Sequence, residues 1–199
     1  MKHNLTADKI LTENQAEILL KEVESAKDEA IKTGKNLKYI NDYYLFFFAY
    51  YTGLRVSELT ELKWQDFGED YVMVRRGKGK KPRTVYFGDK TKCEKIHFQN
   101  VQKKLFKRQC EQKDHIFIGQ RGPLGRVAAH MRLKYWVERL GLPDSISMHS
   151  HRHGYATRLL DNGVPLQLVR DQLGHSNISV TSTYLHFTEE AKQKLKKVL

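Results

Sequence analysis

Cysteine is scarce in this sequence, and long hydrophobic runs and an acidic excess are absent. Its two cysteines, Cys93 and Cys110, have no CxxC partner, so neither a disulfide framework nor a structural zinc site is indicated. The most apolar stretch, YYLFFFAYY (43–51), is far shorter than the roughly 20 residues that span a bilayer. The N-terminus has no apolar core of a signal peptide. We therefore expect a cytoplasmic protein without a membrane anchor.

Positive charge is abundant instead. The 199 residues contain 35 Lys and Arg against 23 Asp and Glu, a net charge of +12. Such a basic globular chain is suited to binding a polyanion, most often nucleic acid, although a merely soluble basic protein is the alternative on charge alone. With 40% hydrophobic residues, the chain can bury one substantial core, so we expect a single domain over 1–199, with 1–10 as an N-terminal tail.

Helical patterns dominate the chain. An amphipathic helix follows the N-cap candidate Thr12, and an almost wholly apolar helix around 40–52 ends at Gly53. Two β-branched and aromatic runs within 71–87 flank a Gly/Lys turn, which predicts a β-hairpin. The fold class is therefore mainly α with a small antiparallel β-sheet. Further helices are predicted near 91–112, 124–140, 151–162, 165–173 and 177–186.

The hairpin tip is strongly basic, since six of the nine residues from Arg75 to Arg83 are Lys or Arg. Charged residues can serve only to protect a sheet edge, but this density favours contact with DNA or RNA. Lys78 lies between two glycines, although no Walker A motif is present. The predicted DNA-binding residues are Arg75, Arg76, Lys80, Lys81 and Arg83.

Two further segments place arginines beside groups that could orient them. In TGLRVSEL (52–59), Arg55 precedes Glu58 by three residues, so the carboxylate could fix the guanidinium, or the two could form a plain surface ion pair. In HSHRHGYAT (149–157), a helix would put His149 and Arg152 on one face. The alternatives for this segment are a capping histidine or a metal site built from its three histidines. No carboxylate or cysteine is near enough in sequence to complete that metal site.

A tyrosine in unusually polar surroundings completes the set. In LGHSNISVTSTYLHF (173–187), Tyr184 follows His175 by nine positions among hydroxyl and amide side chains. Two arginines, two histidines, a lysine and a tyrosine suit phosphoryl transfer without a metal, and the acidic clusters of a two-metal nuclease are missing.

The ordered segments TGLRVSEL, GKGKKPRTV, HSHRHGYAT, LGH and TYLHF together resemble the catalytic domain of the tyrosine recombinases, the phage integrase family. The resemblance extends over nearly the whole chain. It implies that two arginines grip the scissile phosphate, that a carboxylate supports them, and that a hairpin lysine, two histidines and a nucleophilic tyrosine complete the site. In that order these residues are Arg55 and Arg152, Glu58, Lys78, His149 and His175, and Tyr184.

The chemistry of these residue types fits those roles. A free tyrosine with a pKa near 10 is only about 0.1% ionised at neutral pH, so the attack needs a base, for which His149 is the best candidate. Lys78 could protonate the departing 5′ oxygen. The resulting 3′-phosphotyrosine conserves the bond energy for rejoining, so the scheme needs no cofactor, neither ATP nor metal. The expected enzyme is a site-specific recombinase acting on double-stranded DNA.

Two departures from the family pattern stand out. His151 occupies a position that is usually apolar in the family, which puts the local packing in question. Only about 40 residues precede the central helix, so we expect no separate N-terminal core-binding domain in this chain. The chain could be a domain of a longer protein or a naturally short member.

The C-terminal stretch 189–199 is predicted to be an exchange helix. Its apolar face, formed by Ala191, Leu195, Val198 and Leu199, suits docking on a neighbouring protomer in a DNA-bound tetramer of a protein that is monomeric when free. The alternative is a helix that closes its own domain. For the activity as a whole, the alternatives are a type IB topoisomerase and a catalytically silent DNA-binding regulator.

Overall fold

The computed structural model of the chain describes residues 6–75, 82–108, 110–119, 122–175 and 181. After a short 3-10 turn at Ala7–Lys9, helices predominate in this part of the chain. The helices are α1 (Glu13–Thr33), α2 (Lys38–Thr52), α3 (Val56–Thr60), α4 (Asp89–Leu105), α5 (Arg126–Arg139), α6 (Met148–Asp161) and α7 (Leu166–Leu173). The strands are β1 (Tyr71–Val74), β2 (Arg83–Tyr86), β3 (Ile118–Gly119) and β4 (Gly122–Pro123). The predicted class, mainly α with a small antiparallel sheet, is confirmed.

Helix α2 is the centre of the core. Every residue from Ile40 to Tyr50 is buried, as its nearly continuous apolar sequence predicted. Helix α1 packs against it through a stripe that includes Leu19 and Val23. The N-cap prediction for α1 is also confirmed, because the Thr12 hydroxyl accepts the Gln15 N–H and the Gln15 side chain accepts the Thr12 N–H.

Strands β1 and β2 form the predicted antiparallel hairpin, with Val72 opposite Val85 and Val74 opposite Arg83. The valines face the core, while Met73 and Tyr86 are exposed. The sequence predicted only one small sheet, and here it was wrong, because β3 and β4 pair as a second one. Each of these strands has two residues, too few for an alternating pattern to be visible in sequence.

The helix boundaries differ from prediction mainly in α4. This helix was predicted to reach residue 112 but ends at Leu105. Lys107 and Cys110 adopt φ angles of 53° and 54°, which lie in the left-handed region and cannot continue a right-handed helix. The helix predicted at 177–186 falls outside the described residues except for Thr181. No helix in the described part of the chain is both long and apolar enough to cross a membrane.

Helices α6 and α7 enclose a second small apolar cluster that includes Tyr155 and Leu173. Tyr155 also packs against the end of α2, where Gly53 has a φ of 61°. A Cβ at Gly53 would lie 2.4 Å from the Tyr155 ring, so only glycine fits there. This close approach brings the segment after α2, which contains Arg55, next to α6, which contains Arg152.

Candidate active site

Glu58, on α3, holds two arginines at once. Its carboxylate accepts the Arg55 backbone N–H at 2.8 Å and the Arg55 guanidinium at 2.9 Å. The Arg83 guanidinium donates to both carboxylate oxygens, at 2.7 and 2.8 Å. Burial alone would raise the pKa of Glu58, but the hydrogen bonds and charges of Arg83 and Arg55 outweigh it and lower the pKa to about 2. The carboxylate is therefore ionised at neutral pH, and the pair is not a plain surface ion pair.

Arg152 projects from α6 and is only 4% exposed. Its guanidinium donates to the carbonyl of Gly53 at 2.8 Å and to the carbonyl of Leu173 at 2.5 Å. These contacts tie α6 to the end of α2 and to the end of α7. The rigid guanidinium fork can meet two carbonyls at a fixed separation, which a lysine could not do.

His175 follows α7 directly, after Gly174 turns the chain with a φ of 66°. Its Nδ1 lies 2.8 Å from the hydroxyl of the buried Thr181. Burial, followed by the positive charges of Arg152, Arg55 and Arg83, lowers the pKa of His175 to about 3. The imidazole is therefore neutral at physiological pH. The structure thus brings His175 and the two predicted phosphate-binding arginines into one electrostatic cluster.

Of the remaining predicted catalytic residues, His149 lies in the part of the chain that the structure describes, and Lys78 and Tyr184 do not. His149 lies exposed in the first turn of α6, three residues before Arg152. The segment is thus helical, as the prediction of one shared face required. Lys78 and Tyr184 lie outside the described residues, as do Arg76, Lys80 and Lys81. Their roles stay predictions.

The structure places the side chain of Arg83 apart from the exposed basic tip with which the sequence grouped it. Its side chain is only 10% exposed, and besides Glu58 it contacts the carbonyl of Gln172 at 3.0 Å. Arg75, by contrast, is 53% exposed and forms an ion pair with Asp66. The inward direction of Arg83 follows from strand alternation, since Arg83 and the buried Val85 lie two residues apart on one face. The Thr181 partner of His175 had no comparable signal in the sequence.

His151 belongs to the core and not to a metal site. It is fully buried, its ring stacks on Phe46 with centroids 6.0 Å apart, and neither ring nitrogen has a hydrogen-bond partner among the described residues. No group of three potential ligands in the described part of the chain is placed to hold a metal ion. Burial lowers the pKa of His151 to about 4, so the ring packs as a neutral aromatic side chain.

This burial predicts that acid destabilises the protein through His151. The unfolded histidine titrates near 6.5 and the folded one near 4, so between these values the unfolded state binds more protons. The part of the free energy of unfolding that depends on His151 is therefore fully present above pH 6.5 and is lost as the pH drops towards 4. We expect His151→Leu to raise the melting temperature more at pH 5 than at pH 8, by an amount that corresponds to roughly 1–2 kcal/mol.

The matched control is His130→Leu on α5, where the side chain is only partly buried. Because less of its side chain is buried, we expect this variant to show a smaller difference between the two pH values than His151→Leu. Equal shifts at pH 5 and pH 8 for His151→Leu would show that the buried ring is not the source of the acid sensitivity.

The sequence is similar to those of known tyrosine recombinases. The tyrosine recombinase XerD of Halalkalibacterium halodurans is 37% identical over 143 residues, which are 70% of this chain and 47% of that protein. XerD of Chlamydia muridarum is 32% identical over 173 residues, covering 85% and 57%. The chain thus spans about half the length of these curated relatives.

A solved structure gives the fold. The XerH site-specific recombinase, in a post-cleavage complex with its palindromic difH substrate, matches with a TM-score of 0.77 at 20% identity, over 97% of this chain and 54% of that one. The model of the phage integrase family matches residues 9–191. The chain therefore belongs to the phage integrase family and has the fold of a tyrosine recombinase catalytic domain.

Proposed function

We propose that this chain cleaves and rejoins double-stranded DNA at specific sites through a 3′-phosphotyrosine intermediate, with Tyr184 as the nucleophile. The observation that carries the proposal is the convergence of Arg55, Arg152 and His175, from three separate segments of a phage integrase family member. The sequence relatives are named tyrosine recombinases, which favours recombination over topoisomerase activity or silent DNA binding.

The cluster suits a phosphodiester in charge and in rigidity. Arg55 and Arg83 share the carboxylate of Glu58, and the guanidinium groups of Arg55, Arg83 and Arg152 all act on His175, so the cluster carries a positive excess. Arg55 is held by Glu58, and Arg152 by two backbone carbonyls, so neither must reorganise when charge develops. We assign these two arginines to the nonbridging oxygens, where negative charge grows in the transition state.

The two histidines are assigned different roles, one toward the phosphate and one toward the nucleophile. We assign Nδ1 of the neutral His175 as the acceptor of the Thr181 hydroxyl, which places the ring proton on Nε2, where it can be donated to a phosphate oxygen. The exposed His149 is assigned as the base for Tyr184, and Lys78 as the acid for the 5′ oxygen. No step in this scheme uses ATP or a metal.

For partners, we propose double-stranded DNA and further copies of the chain. The XerH structure contains its DNA substrate, and the basic hairpin here, with Arg75 exposed at its start, supports the same class of ligand. The tetramer on DNA and the docking of residues 189–199 on a neighbouring protomer rest on the apolar face of that segment, which lies outside the described residues.

The proposed function is tested without knowing the target sequence. The purified chain is incubated with a library of nicked suicide duplexes of random sequence, and adducts that survive denaturant are isolated and sequenced. We expect enrichment of one sequence motif and a DNA-linked peptide that contains Tyr184. Failure to recover any covalent adduct, or adducts without sequence preference, would contradict site-specific recombination.

A further inference from the structure

Arg83 joins three elements that carry parts of the proposed site. It lies on β2, just after the basic hairpin tip, and its side chain is nearly buried. Its two terminal nitrogens donate to the two oxygens of Glu58 on α3, and its Nε donates to the carbonyl of Gln172 on α7. One planar group thus fixes β2, α3 and α7 relative to one another.

The contact with Glu58 reaches Arg55 indirectly. The Glu58 oxygen that receives one Arg83 nitrogen also receives the Arg55 guanidinium, and the other oxygen receives the Arg55 backbone N–H. With both oxygens held from the β2 side, the carboxylate cannot rotate. The direction of the Arg55 side chain is therefore set by a residue that lies 25 positions from Glu58 in sequence.

The contact with Gln172 acts at the other end of the site. Arg83 binds the carbonyl of Gln172, and Arg152 binds the next carbonyl, that of Leu173. Two guanidinium groups thus satisfy successive carbonyls at the C-terminus of α7, where cations are favoured by the helix dipole. His175 comes two residues later, so these contacts fix the point from which it projects.

Gly174 completes the fit around Arg83. A Cβ at this position would lie 2.6 Å from Cδ and 2.9 Å from Nε of Arg83. The turn that leads to His175 therefore packs directly on the Arg83 side chain.

We propose that Arg83 is a positioning residue, which orients Arg55 through Glu58 and His175 through the end of α7 and does not bind DNA itself. The inference rests on the proposed function for its activity measurements. It replaces the surface role that the basic tip suggested for this arginine.

The experiment compares Arg83→Lys and Arg83→Met with wild type on the duplex recovered from the library. Lysine keeps the charge but cannot donate to two carboxylate oxygens and a carbonyl together. At saturating DNA, we expect the rate of adduct formation to fall about 10-fold for Arg83→Lys and about 100-fold for Arg83→Met. We expect DNA affinity and its salt dependence to stay within about twofold of wild type.

The matched control is Arg132→Lys. Arg132 also binds a buried carboxylate, that of Asp42, together with a backbone carbonyl, but it lies on α5 away from the cluster. This variant should lose stability yet keep the wild-type rate of adduct formation per folded molecule. An Arg83→Lys rate equal to wild type would overturn the proposal, as would a loss confined to DNA affinity with a shallower salt slope.

A double-mutant comparison tests the route through Glu58. If Arg83 orients Arg55 by way of the carboxylate, Glu58→Gln and Arg83→Lys remove the same interaction. The double variant should then be within about threefold of the slower single variant. Losses that multiply would show that Arg83 does not act through Glu58.

The contact between Arg83 and Glu58 can also be measured without any DNA cleavage. The carboxyl titration of Glu58, followed by carbon-13 NMR, should lie near pH 2 in wild type and at clearly higher pH in Arg83→Lys. The charged groups in contact with Glu58 are Arg83, on β2, and Arg55, just before α3. The other charged or titratable groups that line the cavity beside Glu58 are Glu61, Lys63, Asp66, Arg75 and His115. An unchanged titration would overturn the proposal. A wild-type protein without adducts but with the expected titration would contradict the proposed function alone.

Discussion

We expect Tyr184→Phe to bind its DNA site with wild-type affinity and to form no denaturant-resistant adduct on a nicked suicide duplex. The substitution removes one oxygen, the proposed nucleophile, and leaves the arginine cluster and the basic surface unchanged. Without the nucleophile, adduct formation should fall by on the order of 10⁴-fold or more. The measurements are a denaturing gel for the adduct and a binding titration on the same duplex.

The chain provides a matched control for this substitution. It contains ten tyrosines, and Tyr86 on β2 is 59% exposed and lies outside the proposed catalytic set. Tyr86→Phe should form the adduct at the wild-type rate. An adduct formed by Tyr184→Phe would place the nucleophile on another residue and end the present assignment of the site.

Local signals in the sequence predicted the elements that depend on neighbouring residues. Thr12 with Gln15 forms a capping box, and Gly53 ends α2 in the left-handed conformation. The alternation of Val72, Val74 and Val85 is sufficient to define a hairpin with one buried face. In each case the interacting residues are close in sequence or repeat with a fixed period, so a single sequence contains the necessary information.

The arrangement within the site depends on distant partners and was not predictable in the same way. Arg152 meets the Gly53 carbonyl across 99 residues, and Arg83 meets the Gln172 carbonyl across 89. Backbone carbonyls leave no mark on the sequence, so motif spacing identifies the arginines but not the groups that hold them. For Arg83, density of charge suggested exposure, whereas alternation with Val85 indicated burial, and burial is what the structure shows.

The second prediction with a large expected effect concerns a substitution of Arg152. We expect Arg152→Lys to lower the rate of adduct formation by about 10²–10³-fold, because a single ammonium cannot replace a fixed guanidinium at a developing oxyanion. The same variant leaves the carbonyls of Gly53 and Leu173 without their guanidinium donors. At about 1–3 kcal/mol for each of the two buried unpaired groups, the free energy of unfolding should fall by roughly 2–6 kcal/mol.

Arg158→Lys separates these two consequences. Arg158 lies on the same helix, donates to the Tyr50 carbonyl at 3.0 Å and packs its guanidinium 3.8 Å from the Tyr50 ring centroid. Its loss should therefore lower stability without changing the rate per folded molecule. Urea unfolding and single-turnover cleavage of both variants decide the matter. A wild-type rate in folded Arg152→Lys would reduce Arg152 to a structural tie between α2, α6 and α7, and the scissile phosphate would then need another partner beside Arg55.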